Sequence, residues 1–450
     1  MFDLFEKIPV YDGGTIAEGF YNAGPMLADD REGPTDEDTR MQLITGTSAE
    51  EFSAYRKKLT AAGFDVVFEN STPAAECVQW VKDDIYLYGV YNRLSGEVRL
   101  FLDGAGVTVD QFGYTADGGK TEIYQYGLYY DPQNGHSPTT TNCGMLYIVK
   151  LADNRLFMMD GGHILQCSVE AVTGLYNFLH RITGIPAGET IPIACWFVTH
   201  AHDDHLAMCI RLTRTYPSEF DIQRILFNFP SYSVCRRGYA EEPFRLRETL
   251  REFYPDAKTL KPHHGMKFTL ASAEFEVYYT HEDVIRADNV TAYPFRDFNC
   301  TSTVLKMTVD GGSVMWLGDT NLEAEGHIVR TMPREMWKAD VVQVAHHCFN
   351  HLSTLYPWIA APYAMLPNSY FGGHTPENLS KLADVEACLK SPDCIWYEEK
   401  TTGFVFEDGE YRVILEEDRI GAVGLDRVFP FGGGGQTEDI ALGTVLEAPV

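Results

Sequence analysis

A layered α/β fold is predicted for this 450-residue chain from three observations. Strand-like and helix-like segments alternate from about residue 119 onward. One strand, IPIACWFV at 191–198, is a near-continuous apolar run, as burial on both faces of a sheet requires. Several strands end in clusters of acids, glycines and histidines, as in RLFMMDGG, SVMWLGDTN and DVVQVAHHCFN. With 45% hydrophobic residues, the chain has material for a large core and more than one domain.

Residues 1–118 read as a small α+β domain. Its first forty-five residues are rich in Gly, Asp and Pro and show little periodicity, which predicts irregular chain. A helix follows: Ser48 is placed as N-cap with Glu51 three residues on, Phe52, Tyr55 and Leu59 share a face, and Gly63 stops it. FDVVFEN is a strand, and DIYLYGVYN and EVRLFLDG form a hairpin around RLSG. Residues 119–425 form the second domain. TEIYQYGLYY, GMLYIVKL and RLFMMDGG are strands, and EAVTGLYNFLHRITG is a helix with Val172, Leu175, Leu179 and Ile182 on one face and Gly184 at its end. The buried strand IPIACWFV leads to a helix from His205 to about Tyr216. SVMWLGDTN and DVVQVAHHCFN are further strands with a helical stretch between them. Residues 426–450 are a Gly-rich hinge and tail.

The charge balance narrows the function. Lys+Arg 36 against Asp+Glu 64 gives a net charge of −28, which disfavours long nucleic acid and anionic membranes and points to a small-molecule substrate. The start, MFDLFEKIPVYDGG, lacks the basic and apolar regions of a secretory signal, and no window approaches eighteen apolar residues. The ten cysteines include no C-x-x-C pair. Reduced thiols and a cytoplasmic location are therefore expected. G-x-S-x-G, G-x-x-x-x-G-K-[ST] and helix-opening G-x-G-x-x-G motifs are absent. Oligomeric state is left open, with a homo-oligomer allowed.

The chemistry concentrates in Thr199-His200-Ala201-His202-Asp203-Asp204-His205, directly after the buried strand. Alternation at the strand end points His200 and His202 the same way, and Asp204 and His205 enter the next helix facing a neighbouring point. Imidazole nitrogens and carboxylate oxygens suit zinc, iron or manganese. Two adjacent half-sites imply a dinuclear centre.

H-x-H-x-D-H after a buried strand resembles the signature of the metallo-β-lactamase superfamily, hydrolases built as a four-layer αββα sandwich. The resemblance spans about residues 120–420 and leaves out the N-terminal unit. LFMMDGG is similar to that family's first motif, which implies Asp160 as an acid orienting the metal-binding histidines. WLGDTN is similar to its fourth, implying that Asp319 bridges both metals. VAHHCFN resembles the H-H-G segment in the hydrolase domain of bacterial competence (DNA-uptake) channel proteins and their soluble relatives. YAMLPNSYFGGHTPENL and IWYEEKTTGFVFEDG resemble that branch's closing segments.

The implied metal set is His200, His202, Asp204, His205, His281, Asp319, His346 and His347, holding two divalent ions. Zinc is the first expectation, with manganese and iron compatible. Asp204, Asp319 and His347 carry the catalytic expectation; which of His346 and His347 is the ligand is open. The third motif, a histidine between His205 and Asp319, is assigned to His281 because it ends the strand-like EFEVYYT, with His263 and His264 as alternatives. His374 is a turn histidine or a late contact, and Cys348 a buried thiol. The implied reaction is hydrolysis of a small phosphodiester by a metal-activated water. A thioester, lactone or β-lactam is the alternative substrate, and a metal-retaining binding module without efficient turnover is the alternative class.

Overall fold

The computed structural model describes residues 4–24, 39–103, 113–128, 144–230, 241–290, 297–368, 376–391, 394–397 and 400–418. The tail at 426–450 and His374 lie outside them.

The N-terminal unit is an antiparallel sheet. Its strands are β1 (Thr15–Ile16), β2 (Tyr21–Gly24), β3 (Thr39–Thr45), β4 (Asp65–Ser71), β5 (Ala75–Lys82), β6 (Ile85–Asn92) and β7 (Glu97–Asp103), in the order β1-β3-β7-β6-β5-β4 with β2 beside β3. Strands β1 to β3 fall in the stretch expected to be irregular, and AECVQWVK is a strand the periodicity did not reveal. Pairing with neighbours, not local pattern, makes these segments extended. Helix α1 (Ala49–Ala61) has the expected capping box between Ser48 and Glu51. It lays Phe52, Tyr55 and Leu59 on Trp80, Leu87 and Leu100 of the sheet. The opposite face turns Met41, Leu43, Tyr88 and Phe101 toward the rest of the molecule.

Two further sheets make the body. The first begins with β8 (Glu122–Gln125), β9 (Leu146–Lys150), β10 (Leu156–Asp160), β11 (Ile191–Val198), β12 (Phe220–Ile222), β13 (Arg224–Phe227) and β14 (Lys258–Leu260). The second runs in chain order through β15 (Lys267–Leu270), β16 (Ala273–Tyr279), β17 (Val304–Val309), β18 (Gly312–Trp316), β19 (Val341–Gln343), β20 (Tyr363–Leu366) and β21 (Ile395–Tyr397). The chain then returns to the first sheet as β22 (Lys400–Glu407) and β23 (Glu410–Asp418), giving the order β14-β13-β11-β10-β9-β8-β22-β23 with β12 also on β11.

The sheets pack face to face. Phe157 stacks on Phe275 at 4.4 Å between ring centres, within a core shared by Phe197, Tyr147, Trp316 and Met307. Each such buried aromatic stabilises the sandwich by about 1.5–3 kcal/mol. Helices α2 (Val169–Thr183), α3 (Ala207–Thr215) and α4 (Glu242–Phe253) cover the outer face of the first sheet. Helices α5 (Leu322–Thr331), α6 (Leu355–Ile359) and α7 (Pro376–Glu386) lie on the outer face of the second. The layers are therefore α, β, β, α, as the resemblance implies. Strand β11 is buried along nearly its whole length because it has neighbours in the sheet, helices outside and the second sheet inside. Among the described residues, no helix is long and apolar enough to cross a membrane, and no disulfide joins the cysteines.

The N-terminal sheet joins this body through buried polar groups. Arg99 donates to the carbonyls of Glu282, Asp283 and Ile285. His263 lies between Asp103, at 3.2 Å, and Glu282, at 2.8 Å.

Candidate metal centre

Strands β10, β11, β18 and β19 bring their C-terminal ends to one edge of the sandwich, and each delivers part of one site. Strand β10 ends in Asp160, β11 in Thr199 and His200, β18 in the turn to Asp319, and β19 in the turn carrying His346 and His347.

Backbone shape supplies the aim. Asp160 has φ +59°, a left-handed conformation that Asp tolerates better than most residues. Its carboxylate turns inward to accept from the Thr199 amide at 2.8 Å and the Thr199 hydroxyl at 3.0 Å. At Gly318, φ is +54°, and a Cβ would meet the Cβ atoms of Ser302 and Thr199 at 3.0 Å. Glycine there lets the turn bearing Asp319 close over β11. His346, His347 and Cys348 take φ of +50°, +48° and +67° in succession. Such residues persist only where their surroundings hold them, at about 1–3 kcal/mol each. This turn sends His347 inward, leaves His346 at the rim with 27% of its side chain exposed, and buries Cys348 in the core.

Two groups of ligand-type side chains meet at Asp319. Asp204, His205, Asp319 and His347 form one, and His200, His202 and Asp319 the other. In the first, His205 Nε2 is 3.7 Å from Asp204 Oδ1 and 3.4 Å from Asp319 Oδ1. His347 Nε2 is 3.2 Å from Asp204 Oδ2 and 3.6 Å from Asp319 Oδ2. A tetrahedron with arms of 2.0–2.2 Å has edges of roughly 3.3–3.6 Å, so these spacings suit one cation in their midst. In the second, His200 Nε2 lies 3.0 Å from His202 Nδ1 and 3.7 Å from Asp319 Oδ2. His346 Nε2 stands 3.9 Å from the same oxygen. Asp319 is the carboxylate common to both halves, one oxygen pair spanning two positions.

The donor set fits cations on a further ground. Both oxygens of Asp319 and Nε2 of His205 are buried without a hydrogen-bond partner among the described residues. Native folds rarely leave such groups orphaned. The rings are also oriented as ligands. His205 Nδ1 faces Asp160 Oδ2 at 2.7 Å, and His347 Nδ1 faces the Pro367 carbonyl at 2.9 Å. Each Nδ1–H is held by an acceptor, leaving the Nε2 lone pair directed into the site. His200 Nδ1 meets the Thr199 hydroxyl at 3.1 Å.

The charges agree. Burial, together with the neighbouring charges of His205 and His202, holds His200 well below the usual histidine range, in the neutral form that binds metal. Burial pushes the Asp204 and Asp319 carboxyls upward, but the adjacent histidines outweigh it and hold both well below the usual range. His205 is raised well above its ordinary value: burial opposes this, while Asp319, Asp160 and Asp204 prevail. Three carboxylates around one buried imidazole make a pocket of negative potential that divalent cations would neutralise.

Of the eight expected ligands, the structure brings Asp204, His205, Asp319, His347, His200 and His202 together, with His346 at the edge. His281 does not join them. It ends a strand as anticipated, but its ring sits between the Tyr21 hydroxyl at 3.0 Å and Asn228 Oδ1 at 2.7 Å, and burial holds its pKa at about 3. His263 and His264 are likewise engaged elsewhere, with Glu282 and Asp103 and with Asp283. The segment before β17 reaches the cluster instead. Asn299 Nδ2 is 3.1 Å from His346 Nε2, and Ser302 Oγ accepts from the Asp319 amide at 2.9 Å. A search for histidine passes over these residues; their signal is a polar NCTST stretch opening a strand.

Other supports had no signal in local sequence. The Gln343 carboxamide accepts from Leu317 and Gly318 and donates to the Gly318 carbonyl. Asn350 donates to the carbonyls of Asp319 and Thr320, and Asn368 to that of His347. His163 Nε2 lies 3.9 Å from Asp203 Oδ2, beside the ligand cluster.

Compared with known proteins, the chain matches no protein family and no curated protein. Solved structures resemble it in chain path. A metallo-beta-lactamase fold protein from Bacillus subtilis is 12% identical, covers 65% of this chain and 99% of its own, and superposes with a TM-score of 0.36. A metal-dependent hydrolase of the beta-lactamase superfamily is 10% identical, covers 65% and 98%, and has a TM-score of 0.34. A diiron beta-hydroxylase from Streptomyces venezuelae is 12% identical with a TM-score of 0.26 over 51% of this chain; this chain spans 34% of its length.

Proposed function

We propose that this chain is a dinuclear metal-dependent hydrolase acting on a small phosphodiester. The observation that carries the reading is Asp319: a fully buried carboxylate, orphaned at both oxygens, set between two groups of histidines. His200, His202 and Asp319 would hold one cation, and Asp204, His205, Asp319 and His347 the other, with His346 at the open side. When bound, two such cations would supply Lewis acidity and would lower the pKa of a water toward neutrality.

The chain's own groups do the rest. Asp160 keeps His205 in one tautomer, the Pro367 carbonyl does so for His347, and Gln343, Ser302 and Asn350 fix the turn beneath Asp319. The site then needs little reorganisation as charge develops on the attacked ester. Asp204, 3.2 Å from His347 Nε2, is placed to orient the attacking water. His346, half-open beside Asn299, is placed to meet the substrate. The likeness of VAHHCFN to the competence-protein hydrolase segment favours a phosphodiester over a thioester, lactone or β-lactam. The overall charge of −28 favours a small substrate over a long nucleic acid.

The test is hydrolysis of a chromogenic phosphodiester by protein loaded in turn with zinc, manganese and iron, beside a chelated sample and Asp204→Asn. Chelator-sensitive turnover that drops at least ~100-fold in the variant supports the reading. Turnover of thioesters or lactones alone moves the substrate class. Equal, negligible turnover by wild type and variant on all of these leaves a metal-holding binding module.

A further inference from the structure

Among the described residues, two side chains that carry a charge at neutral pH have every polar atom buried without a hydrogen-bond partner. One is Asp319, which two cations explain. The other is Arg211, on the second turn of the helix that leaves the metal motif. Its guanidinium is 2% exposed, and Nε and both terminal nitrogens are unmet. A lone buried charge is strongly destabilising, and native proteins pair it.

The surroundings do not supply the pair. The thiol of Cys167 is nearby, but burial pushes its pKa up to about 12 in spite of Arg211, so it stays neutral. The other charges acting on Arg211 are Arg245 and Arg214, of its own sign. Arg245 is turned toward Glu242, at 3.7 Å, and Arg214 toward Thr249 and Glu252. The guanidinium has acids as well as arginines near it, Glu242 and Asp203 acting on the adjoining Cys167 thiol, yet none of them bonds it. It lies where α3 meets α4 and the turn Ile164–Gln166, next to His163 through the contact of the Cys167 thiol with the His163 carbonyl at 3.6 Å. Arg211 follows His205 by six residues in sequence.

We propose that Arg211 receives an oxyanion of the substrate, a phosphoryl or carboxylate group remote from the bond that is cleaved. This rests on the hydrolase reading and deepens it: the substrate is a diester with a second anionic group remote from its scissile phosphorus. A guanidinium offers a planar fork matched to such a group, and in a water-poor site that pairing is charge-assisted. Arg211 is then a specificity-determining contact and takes no part in bond cleavage.

The experiment is a thermal-shift and calorimetric titration of the metal-loaded protein with inorganic phosphate, sulfate and malonate. Wild type, Arg211→Met, Arg211→Lys and the metal-centre variant Asp204→Asn are compared. Wild type and Asp204→Asn should gain melting temperature with oxyanion. Arg211→Met should lose at least ~10-fold in oxyanion affinity, with Arg211→Lys between them. In oxyanion-free buffer, Arg211→Met should melt higher than wild type, because an uncompensated buried charge has been removed. A response to phosphate and sulfate alone indicates a phosphoryl group, and one to malonate as well indicates a carboxylate. The proposal is overturned by a wild type indifferent to all three anions, or by an unchanged response in Arg211→Met. It is equally overturned if Arg211→Met fails to fold, since the protein itself would then bond the guanidinium. Oxyanion binding as described, without turnover of any ester, would sink the hydrolase reading and leave the subsite.

Discussion

Replacing Asp160 by Asn separates orientation from ligation. The substitution keeps the side-chain size and a residue that accepts φ +59°. The amide oxygen can retain the bond from Thr199 N, now 2.8 Å. What disappears is the negative partner of His205 Nδ1, at 2.7 Å and fully buried. With it goes the charge-assisted bond that fixes the tautomer and raises the basicity of Nε2. Loss of such a partner weakens metal binding by ~10–100-fold, about 1.4–2.8 kcal/mol at 1.4 kcal/mol per tenfold. Only the half of the site containing His205 depends on it directly. In a competition titration against a chromophoric chelator, one equivalent should weaken by that amount in Asp160→Asn, and the other by less than about threefold. If both equivalents bind as in wild type, to within about twofold, and circular dichroism shows a folded protein, then Asp160 does not tune the centre and the argument from the buried pair fails.

Other consequences follow from the same geometry. His347→Ala should lower kcat/KM at least ~10-fold more than His346→Ala, since the first ring lies inside the ligand group and the second at its rim; equal losses in steady-state assays would contradict this. By elemental analysis, wild type should carry two equivalents of metal and Asp319→Ala one or none, whereas His281→Gln should keep both while melting lower by the loss of a buried bond worth about 1–3 kcal/mol. Docking of the N-terminal sheet should be pH-dependent through His263, which is packed against Tyr88 and Phe101 and faces Asp103, Glu282 and, through Glu282, Lys261. Burial would lower its pKa, but Glu282 and Asp103 raise it from 6.5 to about 9. A raised folded-state value means that its contribution is complete below pH 6.5 and lost as the pH climbs through 9, with a ceiling of about 3 kcal/mol. His281 (about 3) and Glu282 (about 2) have lowered values, so their contributions are complete above about pH 6.5 and 4.5 and are lost as the pH falls toward 3 and 2. The urea midpoint should therefore be highest near pH 6.5, and His263→Gln should flatten the alkaline side; an unaltered alkaline slope in that variant would be evidence against the buried imidazolium.

The layered body, and most of the side chains that meet in the cluster, were legible in the sequence because both are written locally. Strand β11 is buried on both faces and so must be apolar throughout, and the residues it delivers, His200 to His205, are contiguous. The capping box of α1 and the left-handed Gly184 after α2, at φ +69°, are also short-range signals. Asp160 and Asp319 were recognisable by the turns that carry them. Tertiary structure alone sets which of the His346 and His347 rings points inward, because that depends on a run of three left-handed residues and not on the residue type. It moved His281 out of the centre, since the ring at that strand end is claimed by Tyr21 from a sheet 260 residues away in sequence. It also brought in Asn299, Ser302, Gln343 and Asn350, whose side chains gain a role only when distant turns close over Gly318. Ligand chemistry is carried by residue type and spacing, which one stretch of chain can hold. Orientation depends on contacts between stretches that only the folded packing brings together.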